Sequence, residues 1–205
     1  MTSHVKPDDI EPSGSGVGPP EFFRLRPIGI DDWSAVRYVH DNAFGTNVAP
    51  HVEPGTAEAF LESLRSPEYA ERLQGSDLTG AWLHGELAGT AGWRRVEEGV
   101  PVARIEALFV RPLFAFMGIG ATLLAHAERR AREAGCTSLT ATVPAVSVPF
   151  MLRFGYDVVG YGADLPNAAF SEPLFFMRKR NDARHQPSGE PAADAATRPR
   201  VLLDH

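Results

Sequence analysis

Apolar positions along the chain follow two periods, one of about two residues and one of about 3.6, and both fade at the ends. Residues 21–27 (EFFRLRP) alternate apolar and basic side chains and predict a first strand. The acidic pair Asp31 and Asp32 then precedes Trp33, Val36, Val39 and Phe44, whose spacing predicts a helix with one apolar face. Residues 45–55 (GTNVAPHVEPG), broken by two prolines, read as a loop. Thr56 is placed to cap a helix over 57–64, and Ser66-Pro67 starts a shorter one through Leu73. Residues 78–83 and 87–96 predict strands joined by a turn at His84-Gly85-Glu86, and Glu97-Glu98-Gly99 makes a second turn. His84 is read as a turn residue.

The centre of the chain is residues 104–124. Residues 105–110 (IEALFV) predict a mostly buried strand, stopped by Arg111-Pro112. Met117-Gly118-Ile119-Gly120 leads into a helix over 121–132, with Leu123, Leu124 and Ala127 on one side and His126, Arg129 and Arg130 mostly on others. Strand, two-glycine loop and helix is the layout in which unpaired helix-terminal amides converge on a phosphate. A purely structural alternative stays open, in which Gly118 and Gly120 allow a tight turn and close packing. The loop follows an antiparallel meander rather than the first strand, which argues against a dinucleotide-binding doubly wound fold. Residues 137–143 predict another strand, and 156–161 with 174–180 a closing pair around a loop at 162–173. Residues 1–20 and 181–205 are rich in Pro, Gly, Ala, Ser and charge and read as flexible tails, with Val201-Leu202-Leu203 the sticky stretch of the second.

A length of 205 residues suits one domain, here 21–180. The net charge of −6 argues against a general nucleic-acid binder and is mildly compatible with a cationic amine substrate. One cysteine, Cys136, excludes an internal disulfide and a multi-cysteine metal site, and reads as a small buried residue. No apolar run is long enough to span a bilayer and no signal-peptide core opens the sequence, so a cytoplasmic, non-membrane protein is expected.

The run VRP, a short apolar-aromatic stretch, GIGxxLL and an Arg/Glu-rich helix ending at Gly135 resembles the acyl-CoA-binding motif of the GNAT superfamily, the acyl-CoA-dependent N-acyltransferases. Residues 145–156 resemble a second pattern of that family, with Phe150, Gly155 and Tyr156 at its Phe, Gly and Phe positions, which implies a short helix over 145–154 and a turn beside the cofactor; Pro149 is tolerated in the first turn of that helix. The resemblance covers roughly 22–180 and implies a twisted, mixed, mostly antiparallel sheet of about six or seven strands flanked by helices, in the α+β or α/β class. It implies acetyl-CoA or another acyl-CoA as co-substrate, with no metal. It places the pantetheine arm along the backbone of Leu108, Phe109 and Val110, and the pyrophosphate at Ala115, Phe116, Met117, Gly118, Ile119, Gly120, Ala121 and Thr122. Ser147, Phe150 and Arg153 complete the cofactor side. The match departs from the family in two places: in the loop Ala115 replaces a Gln or Arg and Phe116 a frequent glycine, and in the later helix Met151 stands where a tyrosine is common.

Transfer of an acyl group from a thioester to an amine needs a base for the amine, donors for the oxyanion and an acid for the thiolate. Glu106 interrupts an apolar strand, where a carboxylate needs a partner or a task. It is either the base, as the resemblance implies, or one half of a pair with Arg94, Arg95 or Arg104. A backbone amide near Val110 is the implied oxyanion donor. Tyr156, then Tyr161 and Ser147, are the substitutes for the acid that Met151 cannot be. Arg111, Arg129, Arg130, Arg132 and Arg153 are weighed as phosphate contacts, and Phe44, His51 and Glu53 as acceptor-pocket residues beside the loop at 162–173. The implied function is acetyl or short-acyl transfer to a primary amine, on a small molecule or a protein, by direct attack in a ternary complex, with a homodimer common in the superfamily. The alternative is a non-catalytic acyl-CoA-binding module.

Overall fold

One mixed sheet organises the chain in the computed structural model, which describes residues 22–162 and 173–180. Its seven strands are β1 (Arg24–Pro27), β2 (Asp77–Leu83), β3 (Glu86–Arg95), β4 (Val102–Val110), β5 (Ser138–Val143), β6 (Asp157–Gly162) and β7 (Leu174–Arg180). They lie in the order β1-β2-β3-β4-β5-β7-β6, antiparallel throughout except for β4 beside β5. Parallel neighbours need a crossover, and α4 (Ile119–Glu133) supplies it. The remaining helices are α1 (Trp33–Asn47), α2 (Pro54–Arg65), α3 (Pro67–Gln74) and α5 (Val148–Arg153). The expected α+β architecture is the one observed. The readings made for 1–20, the loop at 162–173 and 181–205 lie wholly or mostly outside the described residues. Among the described residues no helix is long and apolar enough to cross a membrane.

The stretch 45–55 is more ordered than its prolines and glycines suggest. α1 continues through Gly45 to Asn47, Ala49–His51 form a short 3-10 turn, and α2 begins at Pro54. Proline at the first helical position loses no bond, because that amide has no intrahelical acceptor. Thr56 therefore lies inside the first turn, buried, and is not the cap.

Each face of the sheet carries its own apolar layer. Ile119, Leu123, Leu124, Ala127 and Ala131 form one stripe of α4 and pack on Ala103, Ile105, Leu139, Ala141 and Met177. On the other face, α1 to α3 bury Val36, Val39, Phe44, Phe60, Leu64 and Leu73 around β2 to β4. At Gly89 of β3 the strands are too close for a side chain, since an added Cβ would sit 2.7 Å from the Phe109 carbonyl oxygen and 3.2 Å from Leu123 Cδ1. Gly89→Ala must push β3 from β4, and overpacking of this kind costs about 1–3 kcal/mol. A denaturant titration should show that loss, and an unchanged midpoint would contradict the close approach.

Candidate active site

β4 joins two neighbours and leaves one of them early. Its pairing with β5 stops at Ile105 opposite Ala141, although β5 continues to Val143 on β7 and β4 to Val110 on β3. Beyond that point the strands part and open a wedge. The Arg111 amide donates to the Ala88 carbonyl at 2.9 Å. Bonded and non-bonded pairs alternate along an antiparallel ladder, so Val110, opposite Gly89, turns its N–H and C=O away from β3 into the wedge.

A bulge sets which residues face that wedge. Gly92 pairs with Glu106 and Thr90 with Phe109, so β4 carries one residue more than β3 across this interval. Ala107 takes up the excess with φ of 53°, a left-handed conformation costly for a residue with a Cβ. Glu106 and Ala107 thus both turn from α4, after which Leu108 and Val110 pack with the α4-side core and Phe109 with the α1-side clusters. Phe109 is a correction to the sequence reading: its backbone belongs to the β3 ladder and its ring lies 4.3 Å from that of His40. It is not free to bind pantetheine.

The bulge is held by a buried chain of hydrogen bonds. The Thr90 hydroxyl donates to the Ala107 carbonyl at 2.7 Å. It then accepts from His40 Nε2–H at 2.8 Å, which leaves Nδ1 to accept from the Tyr69 hydroxyl at 2.6 Å. Burial keeps His40 neutral by lowering its pKa from 6.5 to about 3. A histidine that titrates lower in the folded state makes the unfolded chain the better proton acceptor. Stability is therefore complete above about pH 6.5 and falls by roughly 1.4 kcal/mol per pH unit as pH drops toward 3. Unfolding free energies of wild type and His40→Gln at pH 7 and pH 5 should show this slope in the wild type alone; parallel losses would contradict it.

The loop from β4 to α4 supplies donors. Phe116 and Gly118 have φ of 63° and 78°. Gly118 suits this and adds no side chain, whereas Phe116 carries the strain on a fully exposed ring. The first helical bond runs from Thr122 N–H to Gly118 C=O at 3.0 Å, so the amides of Ile119, Gly120 and Ala121 have no acceptor within α4. The Ile119 side chain is buried and the Thr122 hydroxyl is bonded to the Gly118 carbonyl. Ala115 and Met117 are exposed beside Phe116. Gly120 faces Val110 and Phe150, whose ring would lie 3.6 Å from an added Cβ, so α5 closes the far side of the same mouth.

Glu106 stands on the α1–α3 side with its carboxylate only 16% exposed. Oε2 accepts from Arg94 Nε at 3.2 Å and Oε1 from the Ser76 hydroxyl. Two of about four acceptor positions are taken, and the others remain for a further donor.

Several expected residues lie elsewhere. Tyr156 is 1% exposed within the α4-side core, beside Glu128 and with the Lys179 ammonium over its ring; burial, then the Glu128 charge, raises its pKa. It has no face toward the wedge and is not the acid. Met151 is buried in the same core, and Tyr161 is exposed on outermost β6, three strands or roughly 14 Å from β4. Ser147, half-buried before α5, is the remaining hydroxyl of the three, and Arg153 is exposed at the end of that helix. Arg111 donates to Glu86 and lies over Tyr38 and Phe114. Arg129, Arg130 and Arg132 sit at least ten residues along α4 from Ile119, about 15 Å or more from the loop, and bind Glu133, Asp77 and Glu128. Phe44 is core, stacked on Phe60 at 4.2 Å, while His51 and Glu53 are exposed at the entry to α2. His84 takes φ of 49° in its turn, as expected of a turn residue. Sequence reasoning passed over His40, Tyr69 and Thr90. His40 was accessible, since it follows Val36 by four residues on the apolar face of α1.

The model for the acetyltransferase (GNAT) family matches residues 46–156. Among curated proteins no sequence match was found. Solved structures with the same fold include a GCN5-related N-acetyltransferase from Rhodopseudomonas palustris, 22% identical with a TM-score of 0.69 over 77% of this chain and 95% of that one. PaiA N-acetyltransferase from Thermoplasma acidophilum, in complex with coenzyme A, is 20% identical with a TM-score of 0.63 over 77% and 98%. YncA from Salmonella typhimurium, with acetyl-CoA, is 19% identical with a TM-score of 0.54 over 81% and 98%.

Proposed function

The chain belongs to the acetyltransferase (GNAT) family, and from that premise we propose that it transfers an acetyl or other short acyl group from acyl-CoA to a primary amine. The observation that carries this reading is the wedge: a strand edge at Val110 with unused backbone groups, beside a helix start with three unused amides. An extended pantetheine arm matches the first and a pyrophosphate the second. Bound acyl-CoA supplies an activated thioester.

The chain's own groups then do the following. The amides at Ile119, Gly120 and Ala121 hold the phosphates. Val110 N–H donates to the carbonyl oxygen as negative charge grows there. Glu106 accepts the amine proton, directly or through one water, and Ser147 is the hydroxyl offered to the leaving thiolate. Attack is direct, because positioning two bound reactants supplies much of the rate without an enzyme nucleophile.

Met151 and the enclosed Tyr156 favour a second reading, a binding module without turnover. Thiol release from acetyl-CoA, measured with a panel of small amines and lysine-containing peptides, separates the two. Amine-dependent release with a matching mass gain on the amine supports transfer. Tight binding without release for any amine would leave only the module.

A further inference from the structure

The face of the sheet that carries Glu106 also carries a row of cations. The registers align Arg94 of β3, Arg104 of β4, Thr140 of β5 and Arg178 of β7. Directly paired residues project from one face, and the face is fixed by their neighbours. Ala103, Ile105, Leu139, Ala141 and Met177 are buried on the α4 side, so 104, 140 and 178 turn the other way. Arg180 follows on the same side, paired with Ser138. α1 packs on β3 and β4 and α3 on β2, while Arg178 and Arg180 stay exposed and Arg104 half-buried.

These charges are poorly compensated from within. Among the described residues the side chains of Arg104, Arg178 and Arg180 make no hydrogen bond or ion pair. Arg94, directly opposite Arg104, is committed to Glu106 at 3.2 Å. Like charges facing each other on adjacent strands are unfavourable. Asp157 of β6 stands opposite Arg178, yet the two form no ion pair. The row therefore concentrates positive charge on a chain whose net charge is −6.

Two strand spacings set Arg104 and Arg178 roughly 10 Å apart across Thr140, close enough for both side chains to reach one anion. Guanidinium groups stay charged and their planar fork matches a carboxylate. Arg104 lies two residues from Glu106 on the same strand, about 7 Å away. We propose that Arg104 and Arg178 form the anion-binding part of the acceptor site. The acceptor is then a primary amine bearing a carboxylate about 7 Å from its nitrogen. This rests on Glu106 receiving the amine, as argued above.

Two matched probes test it, 6-aminohexanoate and hexylamine, which differ in the carboxylate. With saturating acetyl-CoA, wild type should use 6-aminohexanoate at least tenfold better in kcat/KM. The Arg104→Gln/Arg178→Gln double variant should lose that preference through KM while keeping its affinity for acetyl-CoA. Equal use of both amines by wild type, or a preference that survives in the double variant, would overturn the proposal. A second arm needs no turnover: hexanoate is titrated into the ligand-free protein while the arginine Nε–H signals are followed by NMR. Shifts at Arg104 and Arg178 without any thiol release would retain the anion site and remove the transferase reading. No shifts would remove this proposal whichever way the transfer assay falls.

Discussion

Thr90→Val is expected to destabilise the protein by about 2–6 kcal/mol, whereas Thr90→Ser costs less than about half as much. Valine keeps the shape of threonine but removes the hydroxyl, which leaves the buried His40 Nε2–H and the half-buried Ala107 carbonyl without this partner. Each orphaned group costs about 1–3 kcal/mol. Serine keeps the hydroxyl and so keeps both bonds. The effect also reaches the site, because Ala107 holds a left-handed conformation that its carbonyl bond helps to offset. If that residue relaxes, the phase of Leu108 to Val110 changes, and one residue of slippage exchanges the two faces. Acetyl-CoA affinity should therefore fall with Val and recover with Ser. Denaturant unfolding and calorimetry on the two variants check this, and similar values for both would mean that the hydroxyl does not hold the bulge.

Glu106→Gln is expected to lower kcat/KM for the amine by roughly 10²–10⁴, the range of general base catalysis, and to leave acetyl-CoA affinity within about twofold. Glutamine keeps the length and one acceptor oxygen, so the Ser76 or the Arg94 contact survives, but it cannot take a proton. The ion pair with Arg94 supplies the competing explanation for why a carboxylate interrupts this strand. The two explanations part in the readout. A base loses turnover with little change in unfolding free energy, whereas a structural partner loses stability and keeps turnover. A variant that is less stable yet transfers at the wild-type rate would assign Glu106 to the ion pair alone.

How much of this was legible depends on the distance over which each feature is encoded. The helix α4 and its two-glycine start were readable because a 3.6-residue stripe and an unbranched turn lie within one short stretch. The bulge was written into IEALFV less openly: Glu106 and Ala107 share a face, which breaks the alternation, yet only the pairing with Thr90 and Gly92 shows it. Gly45 and Pro50 suggested a loop, but a glycine inside a helix costs only about 1 kcal/mol, which the packing of Phe44 and Val48 offsets. Tyr156 was misplaced because a motif position does not say which way a ring turns, and here it turns into the core. The arginine row was out of reach, since Arg94, Arg104, Thr140 and Arg178 meet only through registers across four strands. Phe116 went the other way. The resemblance to the family motif implies a glycine at its position, and its positive φ supplies the reason.

The most direct test of the central claim is a calorimetric titration of acetyl-CoA and of free CoA into wild type and Gly120→Glu. An added Cβ at 120 meets Val110 and Phe150 at ordinary contact distances of 3.5 Å and 3.6 Å, so the variant should fold. Its carboxylate would occupy the mouth where three amides await an anion, and repel a phosphate there. Micromolar binding by wild type, weakened at least a hundredfold in the variant with the melting temperature preserved, is the predicted result. Wild type that binds neither compound, or a variant that binds both as well as wild type, would contradict the assignment of this loop and the acyl-transfer function built on it.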